Sequence, residues 1–454
     1  MRRFLFAAAV LLGAAVALRL PALDQPLDRD LALYATIGQR LGLDSLPYRD
    51  LFDHKQPLIH YVYGGLDLIA PGSLLAIRLA AAVPSALVAA LLLVFLEPLA
   101  GFRRAAAAAA ALVLLSASTD VQGTDLNTEH LLVLPAAATV LWALSLGRPG
   151  VRGGPFAIGV LGGVAILAKS IALLIVLAAL IPLLAERPAG RSAIAVAARF
   201  GAGLALPGAV VLLVYALAGA ADDLWFANWT YNSRYVGEQG FSLTPRGPAG
   251  VQLLMAAALC WGLLRLGSLR GRDVVTWTFL AWLLGAWLGA QTSSRGYPHY
   301  YAPMIAPAVA LLALPTGALT RVLALARGTA LAIAALGATL LAIPVVANFG
   351  RSGDEIARHV YGAAEVARWT PADAIGPVLR RKAHGGRLFV VGSEPQYYWR
   401  SGVPEENRWL FDYPAEIAPE RFYPELAGLC LDGPRLVVVV GSPLPAYARR
   451  MISL

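Results

Sequence analysis

The sequence predicts a polytopic α-helical membrane protein that carries a small α/β domain at its C-terminal end. Its 454 residues are 58% hydrophobic and only 14% charged, whereas a soluble globular protein carries about 25% charged residues. Apolar runs recur through residues 1–348, and residues 349–454 are mixed in charge. This composition excludes a wholly soluble enzyme, and it excludes a disordered scaffold, which needs low hydrophobicity and high charge.

Eleven apolar runs predict membrane-spanning helices, each of which needs about 20 predominantly apolar residues. The runs cover residues 4–20, 75–96, 105–118, 130–146, 155–168, 171–185, 202–219, 249–266, 273–290, 302–319 and 329–348. The first run follows a basic start, as in a signal peptide, but no small-residue cleavage site comes after it. We therefore expect this run to remain as the first helix.

The arginine positions predict the orientation of the spans, because short cytoplasmic loops are enriched in Lys and Arg. With a cytoplasmic N-terminus, the inside loops hold basic pairs such as Arg103 and Arg104, whereas the outside segments 21–57 and 118–130 are acidic or mixed. We therefore expect the first long loop and the C-terminal tail on the extracytoplasmic side. The net charge of +9 is spread over the loops, so the partner is the lipid bilayer and no nucleic acid is expected.

The tail has the pattern of a separate small domain. Two strand-like runs, 387–391 and 435–440, follow Thr370, which precedes a proline and is typical of a helix N-cap. We therefore predict a membrane domain over residues 1–348 and an extracytoplasmic α/β domain over residues 349–454.

The first outer loop predicts two helices. Its residues from Asp30 to Leu41 recur at helical spacing. Residues 58–70 are apolar and aromatic but too short to cross a bilayer, which predicts a helix lying at the membrane interface. A long ordered loop of this kind is usually functional.

A charged cluster lies between these two helices. Asp53, His54 and Lys55 place an acid, an imidazole and an ammonium at the membrane border. Lysine is rare here, since Lys55, Lys169 and Lys382 are the only lysines among 37 Lys and Arg residues. Lys55 and Lys169 stand at the outer ends of apolar segments, where a cation can meet a lipid phosphate. The alternative interpretation is that both are membrane anchors whose ammonium groups reach out to water.

Three further polar clusters, 124–130, 228–235 and 297–301, are predicted on the same side. They contribute the candidate binding residues Asn127, Glu129, His299 and Tyr300. Acids and histidines at a membrane border are costly unless they line a cavity, so each is a functional candidate. The alternative is an interfacial aromatic belt combined with helix caps.

Residues 28–57 carry a family resemblance. With Asp30, Tyr34 and the Asp53–Pro57 segment, they resemble the first outer loop of the bacterial protein-mannosyltransferase-like family. That group includes the dolichyl-phosphate-mannose protein mannosyltransferases and the aminoarabinose lipid A transferases. Later landmarks of the family match in order, at Asn127-Thr128-Glu129, Lys169 and His299-Tyr300-Tyr301.

The resemblance implies a GT-C fold, a bacterial inner-membrane location and a polyprenyl-phosphate-linked sugar as donor. The family's first-loop pattern is Asp-Glu, and its Asp falls on Asp30, but Leu31 stands where the second acid is expected. Gln56 replaces a proline of the family pattern. The predicted topology leads to the same donor class, because nucleotide sugars are cytosolic while the candidate polar groups face outward.

The expected reaction is direct displacement at the anomeric carbon. Asp30 is the predicted general base on the acceptor hydroxyl, and Lys55, with Lys169 or His299, is expected to stabilise the departing phosphate. The remaining candidates are expected to hold sugar hydroxyls or to orient these groups: Asp53, His54, Asn127, Glu129 and Tyr300. A protein, lipid A or a polysaccharide is compatible as the acceptor.

No cofactor is expected. Asp28 and Asp30 form an Asp-x-Asp triplet that invites a divalent metal, but Mg²⁺ needs more oxygen ligands, and much of the resembling family is thought to work without metal. Two other functions remain open. One is a transporter or flippase of lipid-linked sugars, which the lack of a visible internal repeat disfavours; the other is an inactive envelope scaffold, for which Leu31 is the hint.

Overall fold

The structure is a computed structural model that is mostly helical. It describes residues 2–41, 45–187, 192–237, 244, 246–269, 273–292, 295–317, 321–429, 436–441 and 449. Arg435, the first residue of a predicted strand, and the last two residues of the run 302–319 lie outside the described residues.

The α-helices follow one another along most of the chain. Their bounds are Arg2–Ala17, Arg29–Arg40, Leu58–Ile69, Leu74–Ala80, Val83–Ala100, Phe102–Leu115, Thr128–Ser145, Pro155–Ala168, Ala172–Val176, Leu180–Ala185, Ala193–Leu217, Ala221–Trp225, Asn232–Gly237, Ala249–Ser268, Val274–Gln291, Ile305–Ala313, Arg321–Asn348, Gly353–Tyr361, Ala363–Trp369, Pro371–Ala383, Gln396–Ser401, Pro414–Ile417 and Pro419–Leu429. Shorter turns of 3₁₀-helix cover Leu20–Ala22, Thr119–Val121, Leu177–Ala179 and Pro298–Met304, and a π-helix covers Phe226–Tyr231.

Each of the eleven apolar runs overlaps a helix, and the chain is a multi-pass membrane protein. Within the described residues, six helices are long and apolar enough to cross a membrane: Leu74–Ala100, Thr128–Ser145, Ala193–Leu217, Ala249–Ser268, Val274–Gln291 and Leu323–Asn348. The count of eleven spans stays a prediction, because some runs are interrupted. The run 171–185 is broken by the Leu177–Ala179 turn, and the run 302–319 begins in 3₁₀-helix.

Two of these helices carry apolar surface that the protein does not cover. The most apolar windows of Ala193–Leu217 and Leu323–Asn348 are only 17% and 22% buried within the protein. A helix satisfies all its backbone hydrogen bonds internally, so such a surface can face lipid. These helices therefore fit contact with the hydrocarbon core.

The first compact unit comprises Met1–Pro21, Arg78–Leu213 and Gln239–Gly350. Its Ala249–Ser268 and Arg321–Asn348 helices pack closely where Gly250 faces Gly337. A Cβ on Gly337 would lie 2.8 Å from the Gly250 carbonyl oxygen, so only glycine permits this approach.

The second compact unit comprises Ala22–Ile77, Val214–Glu238 and Arg351–Leu454. Both predicted first-loop helices form, as Arg29–Arg40 and Leu58–Ile69, and they pack against each other. The position of the second helix at the membrane interface stays a prediction.

The first loop and the tail are joined inside this second unit. The Phe52 amide donates to the Arg408 carbonyl at 2.8 Å, and the Phe52 ring packs 4.6 Å from that of Trp409. Arg40 pairs with Glu405 at 3.0 Å. The unit therefore combines the tail with two loops, whereas the predicted domain boundary at residue 349 separates them; that boundary stays a prediction.

Both predicted strands form in the tail. β1, Leu388–Val391, pairs in parallel with β2, Leu436–Val439, with Leu388 opposite Leu436. The Gln396–Ser401 helix packs on β1, since the Val390 amide donates to the Tyr398 hydroxyl at 2.8 Å.

The predicted helix start at Thr370 and Pro371 is confirmed in position but not in the capping bond. Pro371 does start a helix, but Thr370 has helical backbone angles (φ −61°, ψ −32°), and its side chain makes no capping bond. Its hydroxyl instead donates to the Val366 carbonyl at 3.2 Å. The preceding helix, Ala363–Trp369, occupies the place that an extended N-cap residue needs.

Candidate functional site

The predicted site residues fall into two clusters, one in each compact unit. The loop cluster, in the second unit, consists of Asp30, Asp53, His54, Lys55 and His60. The border cluster, in the first unit, consists of Gln122, Glu129, Lys169, His299 and Tyr300. Each cluster combines carboxylate and cationic groups.

The loop cluster places a cation beside the predicted base. Asp30 lies in the first turn of the Arg29–Arg40 helix, which begins where the Asp28 carboxylate accepts from the Leu31 amide at 2.8 Å. The Lys55 Nζ lies 3.6 Å from the Asp30 Oδ2, and the two side chains are 16% and 35% exposed. Both groups are thus accessible to a ligand.

Three hydrogen bonds fix the backbone that carries Lys55. The His54 amide donates to the Asp53 carboxylate at 2.6 Å, and the Asn232 side-chain amide donates to the His54 carbonyl at 2.7 Å. The Tyr48 hydroxyl donates to the Lys55 carbonyl at 2.8 Å. The lysine therefore extends from a braced loop.

Asp53 organises the interior of the loop cluster. Its carboxylate lies 2.9 Å from the His60 Nε2, and both side chains are fully buried. Burial alone would raise the pKa of Asp53, but the charge of Lys55 and the hydrogen bond from His60 hold that pKa well below its usual range. Because the Asp53 carboxylate is enclosed, its position fits orienting the loop rather than touching a sugar.

His54 and Tyr48 complete the walls of this cluster. The His54 Nε2 lies 3.5 Å from the Lys55 Nζ, and its ring packs 4.8 Å from the Tyr235 ring. Tyr48 is buried, its ring stands edge-on to His60, and its φ of 70° is in the left-handed region. A buried aromatic residue rarely adopts this conformation unless its surroundings impose it.

The border cluster is centred on the buried carboxylate of Glu129, in the first turn of the Thr128–Ser145 helix. Glu129 pairs with Lys169, lies 3.7 Å from the His299 Nε2 and accepts from the Thr128 hydroxyl at 2.7 Å. Lys169 directly follows the Pro155–Ala168 helix. Its Nζ lies 4.3 Å from the centre of the Tyr300 ring, a cation–π distance.

His299 is held on both sides of its ring. Its Nδ1 contacts the Gln122 side-chain oxygen, opposite the side that faces Glu129. Gln122 has a φ of 51°, again in the left-handed region. Asn127 is the N-cap residue of the Thr128–Ser145 helix, and its side chain accepts from the Thr128 amide at 2.8 Å. This residue therefore fits the alternative interpretation as a helix cap.

Tyr48, His60 and Gln122, in or beside these clusters, were not among the predicted site residues, and Asn232 was predicted only as a member of the polar cluster 228–235. His60 was the one with a usable signal, because the chain has only six histidines and His60 follows Asp53 closely in the first loop. Leu31, where the resemblance leads one to expect a second acid, is fully buried. A carboxylate there would need a partner inside the unit.

The Asp-x-Asp triplet does not present two free carboxylates, because Asp28 caps its helix. Among the described residues, no group of three or more His, Cys, Asp or Glu side chains is arranged to hold a metal ion. The expected independence from metal stays a prediction.

No protein-family model matches the chain, and no curated protein sequence matches it. The chain is similar to the crystal structure of ArnT from Cupriavidus metallidurans bound to undecaprenyl phosphate, with a TM-score of 0.56 and 16% identity over 95% of this chain and 91% of that one. The apo form of ArnT gives a TM-score of 0.54 at 16% identity, covering 94% and 91%.

A third similar structure is the archaeal oligosaccharyltransferase AglB from Archaeoglobus fulgidus in complex with an inhibitory peptide and a dolichol-phosphate. Its TM-score is 0.51 at 15% identity, and the match covers 90% of this chain and 61% of AglB. ArnT and AglB are both GT-C glycosyltransferases. The chain therefore has the GT-C fold, which its first outer loop already indicated.

Proposed function

We propose that the protein is a membrane glycosyltransferase that moves a sugar from a polyprenyl-phosphate donor onto a hydroxyl group of an extracytoplasmic acceptor. The observation that carries the proposal is the accessible pair of Asp30 and Lys55, 3.6 Å apart. Support comes from the fold, since solved structures of similar fold hold undecaprenyl phosphate or a dolichol-phosphate. The predicted orientation, with a cytoplasmic N-terminus, eleven spans and an outer α/β tail in a bacterial inner membrane, belongs to this proposal.

The pair supplies the two functions that the displacement needs. The Asp30 carboxylate accepts the proton of the acceptor hydroxyl as its oxygen forms a bond to the anomeric carbon. The bond from that carbon to the phosphate oxygen breaks, and the electron pair stays on the polyprenyl phosphate. Lys55 stabilises the charge that develops there.

Lys169 is the second cation that we assign to lipid phosphate. Its side chain is 16% exposed, and its ammonium pairs with the buried Glu129 carboxylate. Glu129 and Gln122 position Lys169 and His299, Asn127 caps the helix that carries Glu129, and Tyr300 covers one side of the ammonium. In the loop cluster, His54 and Asp53 position Lys55.

The experiment compares wild type, Asp30→Asn and Asp24→Asn in native membranes and as purified proteins. Asp24 is an exposed acid of the same loop and serves as the matched control. Mass spectrometry of the bound and total lipids identifies the sugar donor, and analysis of the envelope glycans reports its transfer. We expect Asp30→Asn to retain or accumulate a polyprenyl-phosphate sugar and to lose the glycosylated product.

Normal transfer by Asp30→Asn would exclude the assignment of the base. If all three proteins carry the same lipid and leave the envelope glycans unchanged, the enzyme proposal fails, and a transporter or an inactive scaffold becomes the better explanation. Movement of the lipid-linked sugar across vesicles without product would single out the transporter.

A further inference from the structure

A polar cavity of about 780 Å³ lies within the second compact unit, between the first loop and the tail. Four arginines line it: Arg40, Arg49, Arg387 and Arg408. Neither Asp30 nor Lys55 is among its lining residues. The cavity is therefore separate from the pair assigned to the reaction.

Carboxylates in the same lining neutralise most of this positive charge. Arg40 pairs with Glu405 at 3.0 Å and Arg49 with Asp50 at 2.7 Å. Arg408 pairs with Glu425 at 2.6 Å, and also with Asp223 at 2.8 Å. The cavity thus alternates donors and acceptors and has little net charge.

Asn407, Arg387 and Arg408 each keep donor capacity in this lining, and the buried Arg408 Nε has no hydrogen-bond partner among the described residues. The Asn407 side-chain oxygen accepts from the Trp409 amide at 2.9 Å, while its Nδ2 is buried and has no hydrogen-bond partner among the described residues. Arg387 is exposed, and its guanidinium donates to the Glu405 carbonyl at 3.3 Å. Among the described residues it forms no ion pair with a carboxylate. A buried donor without a partner costs free energy unless a ligand or water satisfies it.

The charge pattern selects the class of ligand. A phosphate or another anion would meet Asp50, Glu405 and Glu425, and a cation would meet the four arginines. A hydroxyl group donates to a carboxylate and accepts from an N–H group at the same time. We infer that this cavity binds a neutral, polyhydroxylated ligand, namely a saccharide segment of the acceptor.

The distance between the cavity and Asp30 indicates the length of the acceptor glycan. Arg40 and Asp30 belong to one helix, Arg29–Arg40, and ten residues of helix rise by about 15 Å. The cavity therefore binds a part of the acceptor remote from the reacting hydroxyl. The acceptor is then an extended glycan rather than a single hydroxyl amino acid or a monosaccharide; this last step depends on the proposed function.

The test measures binding of the full-length protein, in detergent, to immobilised neutral oligosaccharides and to the same oligosaccharides carrying phosphate or uronic acid groups. The variants are Asn407→Ala and Arg387→Ala, and Arg358→Ala, an exposed tail arginine paired with Asp354, is the control. We expect wild type and the control to bind neutral oligosaccharides, and each cavity variant to bind them roughly tenfold more weakly. An unchanged unfolding temperature of Arg387→Ala shows that the loss is local.

The inference would be overturned if wild type bound only acidic oligosaccharides or no oligosaccharide. It would also be overturned if wild type and both cavity variants bound neutral oligosaccharides with equal affinity. The Asp30→Asn protein separates it from the proposed function. If Asp30→Asn and wild type bind neutral oligosaccharides equally but wild type transfers no sugar, the proposed reaction is wrong and the proposed saccharide binding is retained. If wild type transfers sugar but does not bind neutral oligosaccharides, only the proposed saccharide binding by the cavity fails.

Discussion

The Lys55 ammonium lies 3.6 Å from the Asp30 carboxylate, although the two residues belong to different segments of the first loop. Asp30 is carried by a helix, and Lys55 by a braced turn whose backbone is bound by Asp53, Asn232 and Tyr48. In the proposed reaction Asp30 acts on the attacking oxygen and Lys55 on the departing phosphate, which lie on opposite sides of the anomeric carbon.

Replacing Lys55 by Met should lower sugar transfer by about 10²–10³-fold, because a preorganised group that stabilises developing charge contributes that much. Lys55→Arg should retain part of the activity, since the positive charge remains. Product formation in membrane vesicles is the measurement, with the tail variant Lys382→Met as the control. Equal activity of Lys55→Met and Lys382→Met would remove Lys55 from the mechanism.

Replacing Tyr48 by Phe should leave the buried ring packing intact but release the Lys55 carbonyl. The loss of one hydrogen bond is expected to lower the free energy of unfolding by about 1 kcal/mol. Transfer should slow mainly through kcat, because Lys55 is displaced from the leaving phosphate rather than removed. Denaturant unfolding and steady-state kinetics test this, with Tyr423→Phe as the comparison. A change in stability without any change in kcat would make Tyr48 purely structural.

Acid should destabilise the wild-type protein partly through Asp53. The pKa of its carboxyl is lowered in the folded state, so its stabilising contribution is present above the ordinary Asp range, near pH 4, and is lost as the pH falls below it. Asp53→Asn should cost about 2 kcal/mol at neutral pH. It should also flatten the decline of the unfolding temperature in acid. Parallel acid profiles of Asp53→Asn and Asp24→Asn would contradict this role.

In the border cluster, Glu129→Gln should lower the free energy of unfolding by about 3 kcal/mol, because it leaves the Lys169 ammonium without its buried counter-charge. The double variant with Lys169→Met should be more stable than the sum of the two single changes implies. Thermal unfolding in detergent provides all three values. Additive losses would show that the two groups do not interact.

The periodic part of the fold could be predicted from the sequence, and the contacts between distant segments could not. Apolar runs locate helices because the bilayer imposes a length, and the runs around Val390 and Val438 became paired strands. The candidate site was predicted for Asp30 and Lys55, which lie close in one loop. Asn232 was predicted only as part of a polar cluster, and its bond to the His54 carbonyl, 178 residues away along the chain, is not indicated by any local pattern. Thr370 stands at the predicted N-cap position but makes no capping bond, because the preceding helix imposes helical backbone angles on it.

The contact between Phe52 and the tail affects the order of events during synthesis. The Phe52 amide and ring need Arg408 and Trp409, which the ribosome adds more than three hundred residues later. At about 5–20 residues per second, the loop exists for tens of seconds before its partners emerge. Phe226 and Tyr231, which also contact Phe52, are made earlier, but the tail side of the Phe52 ring lacks Trp409 throughout that interval. The segment next to Lys55 therefore completes its packing only after the tail has been made.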